Sequence, residues 1–186
     1  FRCTAVGRWV GGEGLVLDVC TGGGLAVARR AKFPGERIGF HGNNKTVAEI
    51  REALTYGVGR IVVDSFQEID RIADVATDLG VVAPVMVRVT AGVAAHTHEF
   101  IATGHEDQKF GFSLAGGQAF EAVSRILARP AAFTLRGLHS HIGSQIFDTG
   151  GFEMAAHRLV ALHARIVAAH GHHCPAIDPG GGSGLD

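Results

Sequence analysis

The sequence predicts an α/β protein in which short buried strands alternate with helices along a parallel sheet. Three observations support this fold class. Apolar, β-branched runs recur roughly every 20 to 25 residues, amphipathic segments lie between them, and glycine or a helix-capping residue stands at most junctions. About six strands are predicted, which fits either an open doubly wound sheet or most of a closed barrel.

The first half of the chain contains four of the predicted strands. Residues 1–10 carry apolar side chains at helical spacing up to the Gly11-Gly12 break, and 15–20 form an apolar run that we expect to be buried on both faces. Thr46 is the expected N-cap of a helix that Gly57 closes. The other predicted strands are 38–42, 60–65 and 81–90, and the other helices are 22–31, 47–56 and one that Ser65 caps and that carries Ile69, Ile72, Ala73 and Ala76.

The second half keeps the alternation after a polar, histidine-bearing loop at 91–112. A helix at 118–127, a strand at 133–139, a helix at 152–169 and a strand at 176–178 follow this loop. No linker between domains is visible, so residues 1–186 are expected to form one domain. A complete eight-fold barrel needs roughly 250 residues, so a barrel formed by this chain would be incomplete.

Composition argues against several classes of partner. Hydrophobic residues make up 46% of the chain, charged residues make up 19%, and the formal net charge is −1. This charge gives no attraction for nucleic acid or an anionic membrane, and no apolar run approaches the roughly 20 residues that span a bilayer. Cys3, Cys20 and Cys174 are odd in number and lack a Cys-x-x-Cys spacing, so we expect reduced thiols and a cytoplasmic location.

Two loops carry the residues with the clearest chemical meaning. The segment 137–145 follows a predicted strand and offers the imidazole of His141 and the hydroxyl of Ser144. A second loop follows the last predicted strand and offers bare backbone N–H groups, of the kind that bind phosphate, at Gly180, Gly181 and Gly182. Because α/β folds place their chemistry at the carboxyl ends of strands, these loops predict a phosphorylated ligand with a flat ring.

Other polar residues also stand at or near predicted strand ends, where each could contact a ligand or instead cap a helix and bind loop backbone. They are Asp18, His41, Asp64 and Arg88. A shared metal is a further alternative, because His139 and His141 lie two apart on one strand face. A second histidine group lies in the polar loop, at His96, His98, Glu99 and His105. The chain has no His-Glu-x-x-His motif, so we expect no metal.

These segments resemble the pyridoxal-phosphate-dependent decarboxylases with an alanine-racemase-like barrel, most closely the diaminopimelate decarboxylases. The His-Ile-Gly-Ser segment at 141–144 and the Gly-Gly-Gly loop at 180–182 carry the resemblance. Further matching segments run along the chain at Asp18-Val19-Cys20-Thr21, His41-Gly42-Asn43-Asn44-Lys45, Val62-Val63-Asp64-Ser65, His96-Thr97-His98-Glu99-Phe100 and Asp107-Gln108-Lys109-Phe110-Gly111. The resemblance favours an incomplete (β/α)8 barrel of the TIM type over the open sheet.

The resemblance implies pyridoxal 5'-phosphate as the cofactor, whose ring takes up the electrons released in decarboxylation. It implies that His141 stacks on that ring, that Ser144 lies by the phosphate and that the glycines at 180–182 hold the phosphate. Asp18 and Arg88 are further cofactor-binding candidates because they stand near strand ends. The implied reaction converts meso-diaminopimelate to L-lysine and CO2 in lysine biosynthesis, and the implied assembly is a homodimer.

The resemblance also leads us to expect a fragment that is inactive alone. The lysine to which the family links its cofactor would precede Phe1, and the family's C-terminal β domain is expected to be absent. Two departures support an alternative, a non-catalytic barrel homologue that binds pyridoxal phosphate or a partner enzyme. Gly24 replaces a glutamate that is usual in the family, and Pro179 replaces an aliphatic residue and removes one N–H donor.

Overall fold

The computed structural model describes residues 3–93, 110–144, 146–147 and 149–182. The chain divides into two compact units, one formed by residues 1–85 and 129–134 and the other by residues 86–128 and 135–186. Most of the predicted polar loop lies outside the described residues, and so does the histidine group that was the second candidate for metal binding. That group comprises His96, His98, Glu99 and His105.

The first unit alternates strands with helices, as the sequence predicts. Its elements are α1 (Thr4–Gly12), β1 (Leu17–Val19), α2 (Gly22–Arg30), a short 3-10 turn (Gly35–Arg37), β2 (Ile38–Phe40), α3 (Val47–Tyr56), β3 (Arg60–Val63), α4 (Phe66–Leu79) and the first residues of β4 (Ala83–Thr90). β1, β2 and β3 pair in parallel, with Asp18 opposite Gly39 and Gly39 opposite Arg60. These three residues therefore form one row across the sheet.

Two strands begin later than the sequence predicts. Leu15 and Val16 are 56% and 48% exposed and precede β1, and within β1 only Val19 is buried. The expectation of a strand at 15–20 buried on both faces is therefore wrong in its bounds and in its burial. Val81 and Val82 precede β4 in the same way. An apolar run does not show which of its residues pair with a neighbouring strand, because pairing depends on residues distant in sequence.

A capping box begins α3, and the predicted N-cap is confirmed. The Thr46 hydroxyl accepts a hydrogen bond from the Glu49 N–H, and the Glu49 carboxylate accepts one from the Thr46 N–H at 3.0 Å. The same carboxylate accepts the Gly22 N–H at 2.7 Å, at the first residue of α2. Hydrogen bonds from the backbone of Thr46 and then of Gly22 lower the pKa of Glu49. One side chain therefore stabilises the starts of two helices.

Replacing Glu49 by glutamine keeps an acceptor and removes the negative charge, so it is expected to lower the free energy of unfolding by about 0.3–1 kcal/mol at neutral pH. The folded pKa of Glu49 is lowered, so its stabilisation is present above the ordinary pKa and is lost as pH falls through the folded pKa. The difference between the variant and the wild type should therefore shrink in acid. Urea unfolding at several pH values measures this, with the exposed Glu13 changed to glutamine as the control; a difference independent of pH would contradict it.

The second unit continues the alternation. Its elements are the rest of β4, β5 (Phe112–Ser113), α5 (Gln118–Leu127), β6 (Phe133–His139, whose first two residues belong to the first unit), α6 (Gly150–His170) and β7 (Ala176–Asp178). The strand order is β4-β6-β7, and β5 pairs with β4. The bounds of α5, β6 and β7 are the predicted ones. β5 was not predicted, because two residues are too few to show an alternating pattern.

Each unit buries one face of its helices against its strands. Among the fully buried side chains are Ile50, Ile69 and Ile72 in the first unit and Ile126, Leu159 and Ile166 in the second. Leu54 on α3 and Val123 on α5 follow the same helical spacing and are also buried. Within the described ranges, no helix has the length and apolar character needed to cross a membrane.

Candidate functional site

Two loops leave the sheet of the second unit side by side, one after β6 and one after β7. The two strands pair in parallel, with His139 opposite Asp178, so their carboxyl ends lie at the same edge. Just beyond the paired residues, the Ser140 N–H donates a hydrogen bond of 2.8 Å to the Asp178 carbonyl oxygen. The loop that carries His141 and the glycine loop therefore lie together, as their positions after strand ends predict.

Two of the three glycines in the glycine loop are in close contact with the backbone of the loop after β6. Gly180 and Gly182 have φ values of +80° and +116°, a region that favours glycine. A methyl group on Gly180 would overlap the Ser140 carbonyl oxygen, and one on Gly182 would overlap that of Gly143. Gly181 differs, because its φ is not in this region and an added methyl group would meet nothing within 4 Å. The loop is thus anchored at both ends and open at its centre.

His141 lies beside this loop. Its Nδ1 atom is 3.2 Å from the position that a methyl group on Gly180 would take, and the residue is exposed. The Cα atom of Ser144 is 3.2 Å from the corresponding position on Gly182, and Ser144 is exposed as well. The structure therefore brings together His141, Ser144 and the three glycines, which the sequence predicts as one site.

Several hydrogen-bonding groups around the loop have no partner among the described residues. The N–H groups of Gly181 and Gly182 make no hydrogen bond there, whereas the Gly180 N–H donates to Asp178 Oδ1 at 2.9 Å. The hydroxyl of Ser140 is buried, with the residue 1% exposed, and it too lacks a partner in this part of the chain. Unpaired N–H groups in a glycine loop are a typical binding site for an anion.

His139 and His141, the pair considered for a shared metal, have different surroundings. His139 is buried, 5% exposed, and its Nδ1 atom lies 3.3 Å from Asp178 Oδ2, whereas His141 is exposed. Within the described residues, no group of three or more histidine, cysteine or acidic side chains is arranged to hold a metal ion. His139 therefore lies beside Asp178, the last residue of β7.

Asp18 lies in the first unit, in the row of residues across β1, β2 and β3. Its carboxylate covers Gly39, where an added methyl group would overlap Asp18 Oδ1. Asp18 Oδ1 is 3.3 Å from His41 Nε2 and 3.5 Å from an Arg60 guanidinium nitrogen. Because 46% of the Asp18 side chain remains exposed, these contacts leave it accessible to a ligand. Arg60 was not identified from the sequence, since an arginine at the first residue of a strand is usually on the surface.

Arg88 and Asp64 have structural contacts of their own. The Arg88 guanidinium lies 4.6 Å from the centre of the Phe110 ring, a cation–π arrangement in the second unit. Asp64, in the first unit, is buried, and its N–H donates to Glu68 Oε2 at 2.8 Å. This bond involves the Asp64 backbone and the Glu68 carboxylate, so the role of the Asp64 side chain stays a prediction, as does a ligand-binding role for Arg88.

The structure shows a buried ion pair that sequence analysis missed. Lys45 is 2% exposed, and its Nζ donates to the carbonyl oxygens of Gly42 at 2.6 Å and Val62 at 2.7 Å and to Glu68 Oε1 at 3.0 Å. These bonds join the loop after β2 to the end of β3. No local signal indicates them, because a lysine after Asn43-Asn44 has the composition of an exposed loop.

Pyridoxal phosphate, the cofactor that the resemblance implies, fits the residues of the second unit. The N–H groups of Gly181 and Gly182, which have no partner within the described part of the chain, and the exposed Ser144 suit a phosphate. The open space at Gly181 lets a ligand approach the backbone. The exposed His141 imidazole beside Gly180 offers a flat surface for an aromatic ring.

Comparison with characterised proteins gives close relatives over the whole chain. The chain is 56% identical over 189 residues to the diaminopimelate decarboxylase of Mycobacterium tuberculosis (strain H37Rv), with 100% of this chain and 42% of the relative covered. It is 46% identical over 173 residues to the diaminopimelate decarboxylase of Bacillus subtilis, with 93% of this chain and 39% of the relative covered. The chain therefore spans about two fifths of the length of these relatives.

Solved structures agree with the predicted fold class. The crystal structure of diaminopimelate decarboxylase from M. jannaschii in complex with L-lysine is 31% identical and has a TM-score of 0.88, with 98% of this chain and 42% of that one covered. The Helicobacter pylori diaminopimelate decarboxylase complexed with L-lysine is 29% identical, with a TM-score of 0.82 over 98% of this chain and 45% of that one. The prediction of an incomplete (β/α)8 barrel is confirmed.

A family model covers the same range. The model described as pyridoxal-dependent decarboxylase, pyridoxal binding domain, matches residues 1–186. This match confirms the resemblance read from the sequence, and with it pyridoxal phosphate as the cofactor. From the glycine loop beside His141, the fold and this match, we conclude that the chain belongs to the pyridoxal-dependent decarboxylases, with residues 1–186 matching their pyridoxal-binding domain.

Proposed function

We propose that the full-length protein decarboxylates meso-diaminopimelate to L-lysine and CO2. The observation that carries the proposal is the exposed imidazole of His141 beside a glycine loop, two of whose N–H groups have no partner in the residues that the structure describes. The relatives at 56% and 46% identity are diaminopimelate decarboxylases, and two similar structures hold L-lysine. We further propose a homodimer and a cytoplasmic location, in keeping with the three unpaired cysteines of the chain.

Different residues of the second unit are proposed to bind the phosphate and the ring of the cofactor. Pyridoxal phosphate, when bound, supplies the electron sink for loss of CO2. The Gly181 and Gly182 N–H groups, with the Ser144 hydroxyl, donate hydrogen bonds to the phosphate, and such bonds to an anion are stronger than neutral ones. The face of His141 packs on the ring. Arg88, in the same unit, is proposed as a further cofactor-binding residue from its place near the end of β4. Asp18 belongs to the first unit and stays a cofactor-binding candidate only from its place near the end of β1.

The substrate is tested by measuring CO2 release from meso-diaminopimelate, L-ornithine and L-arginine with the full-length protein and pyridoxal phosphate. We expect turnover of meso-diaminopimelate alone, with L-lysine as the amine product. Release of CO2 from L-ornithine or L-arginine in its place would contradict the proposed substrate. Binding of pyridoxal phosphate without turnover of any of the three would favour the non-catalytic homologue.

Replacing His141 by alanine is expected to weaken pyridoxal phosphate binding by roughly three- to tenfold, because one aromatic contact to the ring is lost. Absorbance titration of the apoprotein measures the dissociation constant. His141→Phe keeps a flat ring and should restore most of the affinity. His157→Ala is the matched control, since His157 is an exposed histidine on α6. Equal affinities of His141→Ala and His157→Ala would contradict the stacking role.

A further inference from the structure

We propose that Asp178 is a positioning residue that orients the glycine loop for the phosphate, a role that rests on the proposed cofactor site. Asp178 makes three contacts at the edge of the sheet. Its Oδ1 atom accepts the Gly180 N–H at 2.9 Å, its carbonyl oxygen accepts the Ser140 N–H at 2.8 Å, and its Oδ2 atom lies 3.3 Å from Nδ1 of the buried His139. One residue therefore holds both loops of the site.

The bond to Gly180 leaves the other two N–H groups of the loop without a partner among the described residues. A carboxylate that accepts the N–H two residues later forms an Asx-turn, which closes the chain locally. The Gly180 N–H already donates its hydrogen bond to Asp178 in this turn, while the N–H groups of Gly181 and Gly182 have no partner among the described residues. Asp178 thus directs the first donor toward itself and leaves the next two for an anion.

Pro179 is the central residue of this turn. Its position gives the proline, which departs from the aliphatic residue usual in the family, a structural role. The missing N–H of Pro179 is one of the two departures that support the non-catalytic alternative. In the structure, the turn bond comes from Gly180 and needs no donor at Pro179. The fixed φ of proline instead reduces the conformations open to the loop before a ligand binds. Asp178 and Pro179 together preorganise the loop.

The other oxygen of the carboxylate lies beside His139, with Oδ2 3.3 Å from Nδ1. The side chain of His139 is 6% exposed and that of Asp178 is 31% exposed, so the carboxylate lies between a buried imidazole and the glycine loop. A carboxylate repels a phosphate, so its benefit must come from its hydrogen bond to Gly180 rather than from its charge. Asparagine keeps an acceptor for that bond and removes the charge, while leucine has a similar size and no acceptor.

The test compares the affinities of the apoprotein for pyridoxal phosphate and for pyridoxal, which lacks the phosphate. For Asp178→Leu we expect pyridoxal phosphate to bind at least about tenfold more weakly, since one or more charge-assisted hydrogen bonds are lost, with little change for pyridoxal. Asp178→Asn should bind pyridoxal phosphate as tightly as the wild type or more tightly. An unchanged ratio of the two affinities in Asp178→Leu would overturn the proposal, as would equal losses in Asp178→Leu and Asp178→Asn.

Pro179→Ala supplies a second, milder test. We expect it to weaken pyridoxal phosphate binding by about two- to fivefold through the freer loop, again without an effect on pyridoxal; no change would overturn the preorganisation by Pro179. These titrations do not depend on turnover. If the wild type discriminates between the two ligands but does not decarboxylate meso-diaminopimelate, the proposed substrate fails while the role of Asp178 stands.

Discussion

Replacing Lys45 by methionine is expected to lower the free energy of unfolding by about 3–5 kcal/mol, the cost of leaving a buried charge without its partner. Lys45 and Glu68 are 2% and 3% exposed. Without the ammonium group, Glu68 loses its cation, and the carbonyl oxygens of Gly42 and Val62 lose a donor. Methionine fills a similar volume, so the loss measures the polar contacts rather than a cavity.

The size of this effect should depend on pH. Burial raises the pKa of Glu68 above its ordinary value, against the opposing effect of Lys45. A carboxyl group with a raised folded pKa favours the folded state below the unfolded pKa, and this advantage is lost as pH rises toward the folded pKa. The Lys45→Met variant should therefore be most destabilised at neutral pH and closer to the wild type in acid, where Glu68 can be protonated.

A second substitution isolates the ion pair. Lys45→Met combined with Glu68→Gln should recover part of the lost stability, because glutamine is uncharged and still accepts the Asp64 N–H that Glu68 holds. Lys32→Met is the control, since Lys32 is exposed and should change stability by less than about 0.5 kcal/mol. Urea unfolding followed by circular dichroism measures all four proteins. A Lys45→Met variant as stable as Lys32→Met would refute the buried pair.

The elements that the sequence predicted well are those with local signals at both ends. Thr46 and Gly57 bound α3 as predicted, with a capping box at one end and a left-handed glycine, φ +75°, at the other. Such signals lie within a few residues of the element that they end. The starts of β1 and β4 and the whole of β5 have no comparable signal, because strand pairing joins residues distant in sequence.

The candidate site shows the same division. Glycine chemistry and the resemblance predicted the loop at 180–182 and His141, since both depend on short contiguous segments. Ser65-x-x-Glu68 has the pattern of a capping box, yet the Glu68 carboxylate bonds to the Asp64 N–H and to Lys45, 23 residues away. The double contact of Asp178 could not be predicted either, because it requires the register of β6 against β7.

Replacing Gly182 by alanine should abolish most phosphate recognition. The added methyl group would overlap the Gly143 carbonyl oxygen, and the φ of +116° is unfavourable for alanine. The loop must therefore move, and the hydrogen bond from the Ile146 N–H to the Gly182 carbonyl oxygen, 2.9 Å long, is lost with it. If two charge-assisted hydrogen bonds to the phosphate disappear, pyridoxal phosphate should bind at least about 100-fold more weakly.

Gly181→Ala is the matched substitution for Gly182→Ala. It distinguishes a glycine required for folding from a glycine required for ligand binding. An added methyl group at Gly181 meets nothing within 4 Å, so the apoprotein should be as stable as the wild type, or more stable by up to about 1 kcal/mol. If the phosphate approaches the backbone there, Gly181→Ala still weakens pyridoxal phosphate binding and leaves pyridoxal binding unchanged. Thermal unfolding of the apoprotein and the two titrations measure both effects. Wild-type affinity for pyridoxal phosphate in both variants would place the phosphate away from this loop and contradict the proposed site. The close backbone contacts and positive φ values explain why Gly180 and Gly182 must be glycine in the fold itself. They do not explain a glycine at 181, so the effect of Gly181→Ala tests the ligand.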